Sequence, residues 1–250
     1  MRGAHIQQVA VLKGLARVIS KSGAASRSQA EQWVRAGRVQ VNGRVVLDPQ
    51  FGIEQGVDRV QVDGTALTQA ARVVLMLNKP RGLVTTARDE RGRDTVYSCL
   101  AGADLPWLAP IGRLDKASEG LLLFSNDPAW AARITDPTSG PEKTYHVQVN
   151  TLPDAHLLET LQRGTMLDGE LLAARSVHLL RTGNRNAWLT IVLAEGRNRH
   201  IRRLLAAFDI AVLRLVRVAV GPLLLGKLPK GEWRVLGAQE IEALDSQRTP

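Results

Sequence analysis

This chain of 250 residues has a single cysteine and no long apolar run, and each of these features excludes a class of protein. Cys99 is the only cysteine, which excludes a disulfide within the chain and any cysteine-based metal site. No apolar run approaches the ~18 residues that a membrane span requires. Residues 1–11 are predicted to be a loose lead-in, and they lack the apolar core of a signal peptide. We therefore expect a cytoplasmic protein with no membrane segment.

Cofactor-binding motifs are missing as well. The chain has no dinucleotide-binding fingerprint and no P-loop, and its five histidines are scattered without ligand spacing. Cys99 is better suited to a small position in the core than to nucleophilic catalysis. We therefore expect neither a cofactor nor a metal.

Positive charge is plentiful. Lysine and arginine number 33 against 24 acidic residues, which gives a net charge of +9. Such an excess favours a polyanionic partner, most simply nucleic acid, although an unspecialised basic surface has the same composition. The hydrophobic content of 44% is enough for a folded core. A chain of this length forms one large domain or two smaller ones.

The first part of the chain predicts two short helices followed by small strands. Leu15, Val18 and Ile19 recur at helical spacing and predict a short amphipathic helix that ends at Gly23. Ser26 or Ser28 can cap the second helix, which Gly37 closes. Alternating valines around Asn42-Gly43 predict a hairpin, and residues 57–62 predict a further strand. The polar face of this unit carries Arg27, Arg35, Arg38 and Arg44. We predict a small domain over 12–64, a linker over 65–72 and a larger domain over 73–245.

The stretch from Pro110 to Phe124 contains the best catalytic candidate. Its Leu121–Phe124 run predicts a buried strand, and Asp115 lies on the polar loop before it. A carboxylate held on a rigid frame can act as a nucleophile or general base. Arg113, two residues away, could contact an anionic ligand. The alternative is that Asp115 only forms a turn.

The remainder of the chain predicts strands and a basic helix. Residues 73–77 predict a buried strand, and the turn after it carries Lys79 and Arg81, which could meet phosphates or be simply solvated. Residues 143–149 alternate in polarity, with Tyr145 on the apolar face. A glycine turn at 195–199 leads into a basic helix with apolar residues at helical spacing.

The N-terminal pattern resembles a known RNA-binding module. Ala25-Ser26-Arg27, Ala30-Glu31, Ala36-Gly37-Arg38-Val39 and Val41-Asn42-Gly43 resemble the αL-type RNA-binding domain, which is named after a small-subunit ribosomal protein. The resemblance implies that Arg27, Arg35 and Arg38 contact RNA. Gly14 and Ser28 stand where relatives often carry basic residues, so weaker RNA binding is expected, because affinity falls with each phosphate that the protein does not neutralise.

Three later segments resemble the pseudouridine synthases in the order expected of that family. They are Gly112-Arg113-Leu114-Asp115 with Ser118 and Gly120-Leu121-Leu122, then Lys143-Thr144-Tyr145, then Glu195-Gly196-Arg197-Asn198-Arg199-His200-Ile201-Arg202-Arg203. The family resemblance implies an α+β fold. It combines a small N-terminal αL domain with a larger catalytic domain, whose mixed, mainly antiparallel β-sheet is flanked by helices. It also implies ribosomal RNA as partner, a monomer, and no small-molecule cofactor.

The same resemblance implies a role for each site residue. Asp115 is the catalytic carboxylate, Arg202 the cation paired with it, and Tyr145 the ring against the target base. The remaining assignments concern substrate binding. Ile201 is the apolar wall beside the uracil, and Arg113 fills the space that the base leaves in the stack or holds a phosphate. Asn198 and His200 are first-turn residues near RNA, and Lys79 and Arg81 belong to the loop that shapes the RNA site.

The implied function is isomerisation of a specific uridine to pseudouridine in ribosomal RNA. The Leu121–Phe124 run, the 195–199 segment and the glycine-rich end favour the large subunit. An alternative is a non-catalytic RNA-binding factor in ribosome assembly, which explains the charge equally well but leaves the motif positions of Asp115, Tyr145 and Arg202 unexplained. A nuclease or glycosidase is a third alternative, but it would require paired carboxylates or metal ligands.

Overall fold

The computed structural model describes residues 12–246, so the lead-in predicted for residues 1–11 lies outside the described part. The chain folds as two units. The described part of the first comprises residues 12–72 together with 104–109, and that of the second comprises 73–103 together with 110–246. The backbone N–H of Trp107 donates to the carbonyl of Gly23 at 2.9 Å, which ties the 104–109 segment to the first unit.

The first unit contains the two predicted helices and several short strands. The helices are α1 (Leu15–Lys21) and α2 (Arg27–Arg35), and the strands are β1 (Lys13–Gly14), β2 (Val39–Val41), β3 (Arg44–Val45), β4 (Gly52–Ile53), β5 (Val60–Val62) and β6 (Thr65–Ala66). Within the described residues, four of these strands form one sheet in the order β3-β2-β5-β6, and β1 pairs with β4. Thr65 and Ala66, predicted to lie in the linker, are therefore paired with β5.

Local sequence explains why these elements form. Ser26, rather than Ser28, caps α2 through a capping box with Gln29. Asn42 and Gly43 both adopt positive φ, 51° and 78°, as a two-residue hairpin with this twist requires. The fully buried apolar face of α1, including Leu15 and Ile19, packs in the small core of this unit.

The second unit is built on a large sheet. Its strands are β7 (Val74–Lys79), β8 (Ala109–Ile111), β9 (Glu119–Ser125), β10 (Lys143–Val149), β11 (Thr165–Leu167), β12 (Glu170–Leu172), β13 (Ser176–Thr182), β14 (Ala187–Leu193), β15 (Val212–Val220), β16 (Leu223–Leu224) and β17 (Trp233–Val235). Its helices are α3 (Pro128–Thr135), α4 (Ala155–Arg163), α5 (His200–Ala206) and α6 (Ala238–Asp245), with a 3₁₀ helix over Val96–Leu100.

The sheet is mixed and mainly antiparallel. Its main path runs β13-β14-β10-β15-β9-β7-β17, with β8 and β16 paired to its members. Along this main path of described strands, β9 and β15 pair in parallel and the other neighbours pair antiparallel. The residues of β7 and β9 are buried throughout. Their apolar runs, 74–77 and 121–124, are typical of central strands. These findings confirm the predicted α+β class.

Several elements were not predicted. The hairpin of β11 and β12 turns at Asp168-Gly169, and α6 closes the described part of the chain. The strand predicted over 73–77 continues to Lys79, so the turn begins at Pro80. None of the helices within residues 12–246 is both long enough and apolar enough to cross a bilayer.

Candidate active site

A cavity of about 270 Å³ in the second unit contains most of the predicted site residues. Seven of them contribute to its wall: Arg113, Asp115, Tyr145, Asn198, His200, Ile201 and Arg202. They come from three places that are distant in sequence, namely the loop before β9, the strand β10 and the start of α5. Lys79 and Arg81 do not line the cavity.

The loop that carries Asp115 is held by its backbone. All five carbonyl oxygens from Leu114 to Ser118 accept a hydrogen bond. The donors are Thr85 Oγ1 to Leu114 at 2.7 Å, Lys79 Nζ to Asp115 at 3.2 Å, the Gly82 N–H to Lys116 at 2.8 Å, Arg202 Nη2 to Ala117 at 3.2 Å, and Lys79 Nζ to Ser118 at 2.8 Å. A loop satisfied in this way keeps the Asp115 carboxylate in a fixed position at the cavity wall.

Lys79 supports this loop and does not reach the surface. Its side chain is 0% exposed, and its ammonium group donates to the carbonyls of Pro80, Asp115 and Ser118. Burial lowers the pKa of Lys79 to about 8, although the nearby charge of Asp115 acts to raise it. The predicted phosphate contact of Lys79 is therefore wrong, because an enclosed ammonium group cannot meet RNA. Arg81 is exposed, and its role stays a prediction.

Asp115 and Arg202 face the same cavity without forming a direct ion pair. Among the described residues, no nitrogen of Arg202 lies within 4.0 Å of the Asp115 carboxylate. Burial is the main cause that lowers the pKa of Arg202, the charges of Arg199 and Arg81 lower it further, and Asp115 opposes them. Arg202 Nε is buried and has no hydrogen-bond partner among residues 12–246. Arg202 contacts the Asp115 loop at the Ala117 carbonyl, and its pairing with the Asp115 carboxylate stays a prediction.

Tyr145 and Ile201 supply apolar walls to the cavity. Tyr145 is 7% exposed on β10, and Ile201 is 3% exposed in the first turn of α5. The alternation of β10 buries Tyr145, Val147 and Val149 on one face, as the sequence predicts. A flat ring and a branched side chain in one cavity can hold a planar base between them.

The start of α5 differs from its prediction. The helix begins at His200, so Asn198 lies in the preceding turn and not in the first helical turn. Arg199, the N-cap residue, has a φ of 49°. His200 is 3% exposed, and burial lowers its pKa, which favours the neutral imidazole. Asn198 is exposed and is therefore the more accessible of the two polar groups.

Basic side chains dominate the charge of the cavity. Asp115 is the single acidic residue among those that line it, whereas six lining residues are basic: Arg113, Lys143, Arg197, Arg199, Arg202 and Arg217. Lys143 and Arg217 were not predicted as site residues. Lys143 could have been found, because it precedes Tyr145 by two residues and therefore shares its face of the strand. Such a cavity suits part of a polyanion.

The three arginines predicted in the first unit have different environments. Arg27 and Arg35 are exposed on α2 and flank Glu31, at 3.4 Å and 3.7 Å respectively. Arg38 instead pairs with Asp63 through two guanidinium nitrogens, and its Cζ lies 5.0 Å from the centroid of the Trp33 ring. The hydrogen bond with Asp63 raises the pKa of Arg38 and lowers that of Asp63. Arg27 and Arg35 are therefore more available to RNA than Arg38.

Paired carboxylates and metal ligands would have favoured a different chemistry. Within residues 12–246, no three histidine, cysteine, aspartate or glutamate side chains cluster as metal ligands would. The cavity offers one carboxylate, one phenol and several cations. This set can perform nucleophilic attack, stabilise developing charge and hold a planar base.

Comparison with known proteins assigns both units. The family model for RNA pseudouridylate synthase matches residues 73–207, and the model for the S4 domain matches residues 13–58. A protein of Bacillus subtilis named ribosomal large subunit pseudouridine synthase B is 34% identical over 237 residues, which cover 93% of this chain and 96% of that protein. A protein of Aquifex aeolicus named uncharacterized RNA pseudouridine synthase is 36% identical over 230 residues, which cover 91% and 92%.

A solved structure is similar to this chain over most of its length. The crystal structure of a pseudouridylate synthase superposes with a TM-score of 0.61 at 32% sequence identity, and the match covers 93% of this chain and 99% of that one. The matched family model begins at the first strand of the large sheet and extends past α5, so it contains Asp115, Tyr145 and Arg202. The chain therefore belongs to the RNA pseudouridine synthases, a family of isomerases, and carries an S4 domain before its catalytic domain.

Proposed function

We propose that this enzyme isomerises a specific uridine to pseudouridine in large-subunit ribosomal RNA, with Asp115 as the nucleophile. The name of the Bacillus subtilis relative supports this choice of RNA. The observation that carries the proposal is the cavity in which Asp115 is the one carboxylate among the lining residues, facing Tyr145, Ile201 and Arg202.

The reaction requires cleavage of the bond between ribose C1′ and uracil N1. A carboxylate suits this step because it can attack the electron-poor sugar carbon or add to the ring. Asp115 must be ionised to do so. Arg202 lines the same cavity and supplies a positive charge on the side of this carboxylate.

The target uridine must leave its stack to reach the cavity, at a cost of a few kcal/mol. Tyr145 and Ile201 then hold the base between them, and the phenol of Tyr145 is available to carry a proton in the last step. Arg113 is exposed at the cavity wall. It binds a backbone phosphate or fills the space that the flipped base leaves in the stack. Arg27 and Arg35 of the S4 domain bind phosphates of the same RNA.

Mapping of pseudouridines tests the proposal. Ribosomal RNA from a strain that lacks this protein should lose one large-subunit pseudouridine, and wild-type protein supplied in trans should restore it. Loss of a small-subunit position would overturn the choice of RNA. If ribosome assembly is impaired while every pseudouridine is retained, the alternative of a non-catalytic assembly factor is favoured.

A further inference from the structure

Two basic side chains on the sheet side of the cavity have no part in the mechanism above. Lys143 lies on β10, two residues before Tyr145, and Arg217 lies on β15 directly opposite Tyr145 in the antiparallel register. The pairing of these strands is irregular between Thr144 and Tyr145. Such bulges are frequent beside active sites, where they redirect side chains. Lys143, Tyr145 and Arg217 all contribute to the wall of the same cavity.

Neither cation has a carboxylate partner. Within residues 12–246, Lys143 and Arg217 form no ion pair within 4.0 Å. Arg217 is only 6% exposed, and its Nε donates to the carbonyl of Leu121 at 2.7 Å. Asp136 attracts Lys143 at a distance, but its carboxylate accepts hydrogen bonds from Thr138 and Ser139. Arg217 is buried and Lys143 is half-buried, and cations withdrawn from water without a counter-charge favour an anionic occupant.

The uracil ring becomes anionic during the reaction. When the C1′–N1 bond breaks, its electron pair passes to the ring and spreads over N1, O2 and O4, while the Asp115 carboxylate forms a bond to C1′. Ring carbon C5 then bonds to C1′ as the carboxylate leaves, the C5 proton departs and N1 gains a proton, so atoms and electrons balance. If Asp115 adds to the ring instead, negative charge again develops on the ring. Both routes therefore require stabilisation of a charged base.

We infer that Lys143 and Arg217 form a cationic subsite that stabilises the negative charge on the uracil ring after it is detached or attacked. The inference rests on the proposed function. A backbone phosphate is the less suitable occupant, because Arg217 and Tyr145 are almost fully buried, whereas Arg113 and Arg199 are exposed members of the same wall. Phosphates are strongly hydrated and meet exposed cations first, while the flat and initially uncharged base enters the buried part.

Titration of Lys143 provides a readout of this role. Burial and then the charge of Arg217 lower the pKa of Lys143 to about 8, and Asp136 acts to raise it. Arg217 from β15 and Asp136 from the segment after α3 act on Lys143 directly. The other charged or titratable groups among the lining residues of the cavity are Arg113, Asp115, Tyr145, Arg197, Arg199, His200 and Arg202. Lys143 carries its charge below about pH 8 and loses it above, so its contribution to the rate declines as the pH rises.

The experiment measures single-turnover pseudouridine formation and RNA affinity for K143M, K143R and the control K227M. Lys227 is exposed and does not line the cavity, so K227M removes the same charge elsewhere in the domain. K143M should lower the rate constant by at least about tenfold while the Kd stays within about twofold, since charge stabilisation acts on the transition state. K143R should be faster than K143M, and its rate relative to wild type should rise above pH 8.

Each other outcome overturns the inference. If K143M forms pseudouridine at the wild-type rate, Lys143 does not stabilise the charged base. A weakened Kd with an unchanged rate constant assigns Lys143 to a backbone phosphate. A K143R enzyme that melts like wild type but is no faster than K143M shows that positive charge is not what matters. These results differ from failure of the proposed function, in which the wild-type protein itself forms no pseudouridine.

Discussion

The ammonium group of Lys79 joins the two ends of the loop that carries Asp115, because it donates to the carbonyls of Asp115 at 3.2 Å and Ser118 at 2.8 Å. Lys79 stands at the end of β7 and pairs with Gly120 of the neighbouring β9. The sheet therefore fixes the position of the loop, and through it the position of the Asp115 carboxylate.

Replacement of Lys79 by methionine should reduce the rate of isomerisation more than the affinity for RNA. The variant leaves carbonyl groups of the loop without a partner, which costs about 1–3 kcal/mol of stability for a buried group. It also frees Asp115 to move. The measurement compares single-turnover rate, Kd and urea unfolding with those of K227M. Equal losses in rate and affinity would contradict a positioning role.

The stability that Lys79 provides should depend on pH in a definite direction. Its pKa is about 8 in the folded protein against 10.5 as the ordinary value, so the unfolded chain holds more protons between these values. Stability then rises with pH in that window. The difference in unfolding free energy between wild type and Lys79→Met should grow from about pH 7.5 to about pH 9.5. A constant difference would show that Lys79 does not titrate there.

Gly120 should be irreplaceable where β9 meets β15. A Cβ atom at Gly120 would lie 2.2 Å from the carbonyl oxygen of Arg217 and 2.8 Å from its nitrogen. Gly120→Ala should cost roughly 3 kcal/mol or more, because the parallel strands must separate. Gly82→Ala is the matched control, since its φ of 103° resembles the 102° of Gly120 but no heavy atom lies within 4 Å. The control should lose only about 1–2 kcal/mol in urea unfolding. Equal losses would contradict the overlap.

The exposed arginines of α2 should contribute to RNA binding without sequence preference. The double variant R27A/R35A should weaken binding to all RNAs. The slope of log K against log salt should fall by about 0.7–0.9 for each phosphate that the variant no longer neutralises. Arg38→Ala should have a smaller effect, because Asp63 already pairs with that guanidinium. The control is Arg185→Ala, an exposed arginine between β13 and β14. An unchanged salt slope in the double variant would contradict the assignment.

Local patterns predicted those parts of the fold and site that depend on neighbouring residues. The alternation of β10 located Tyr145, and the apolar run of β9 placed Asp115 on the loop before a buried strand. The direction of Lys79 could not be predicted, because it depends on the pairing of β7 with β9 and on carbonyls 36 and 39 residues away. The strand β17, which completes the main path of the sheet beside β7, is likewise a long-range partner. By contrast, the Asp168-Gly169 pair is a sequence signal for a hairpin, so the hairpin of β11 and β12 could have been predicted.

Release of tritium from ribosomal RNA labelled at uracil C5 is the most direct test of the account, because C5 loses its hydrogen only when it bonds to the sugar. The wild-type protein should release tritium from large-subunit RNA. Asp115→Asn should bind that RNA with unchanged affinity and release tritium at least about a thousandfold more slowly. A purified Asp115→Asn enzyme that releases tritium at the wild-type rate would contradict the assignment of Asp115 as the catalytic carboxylate.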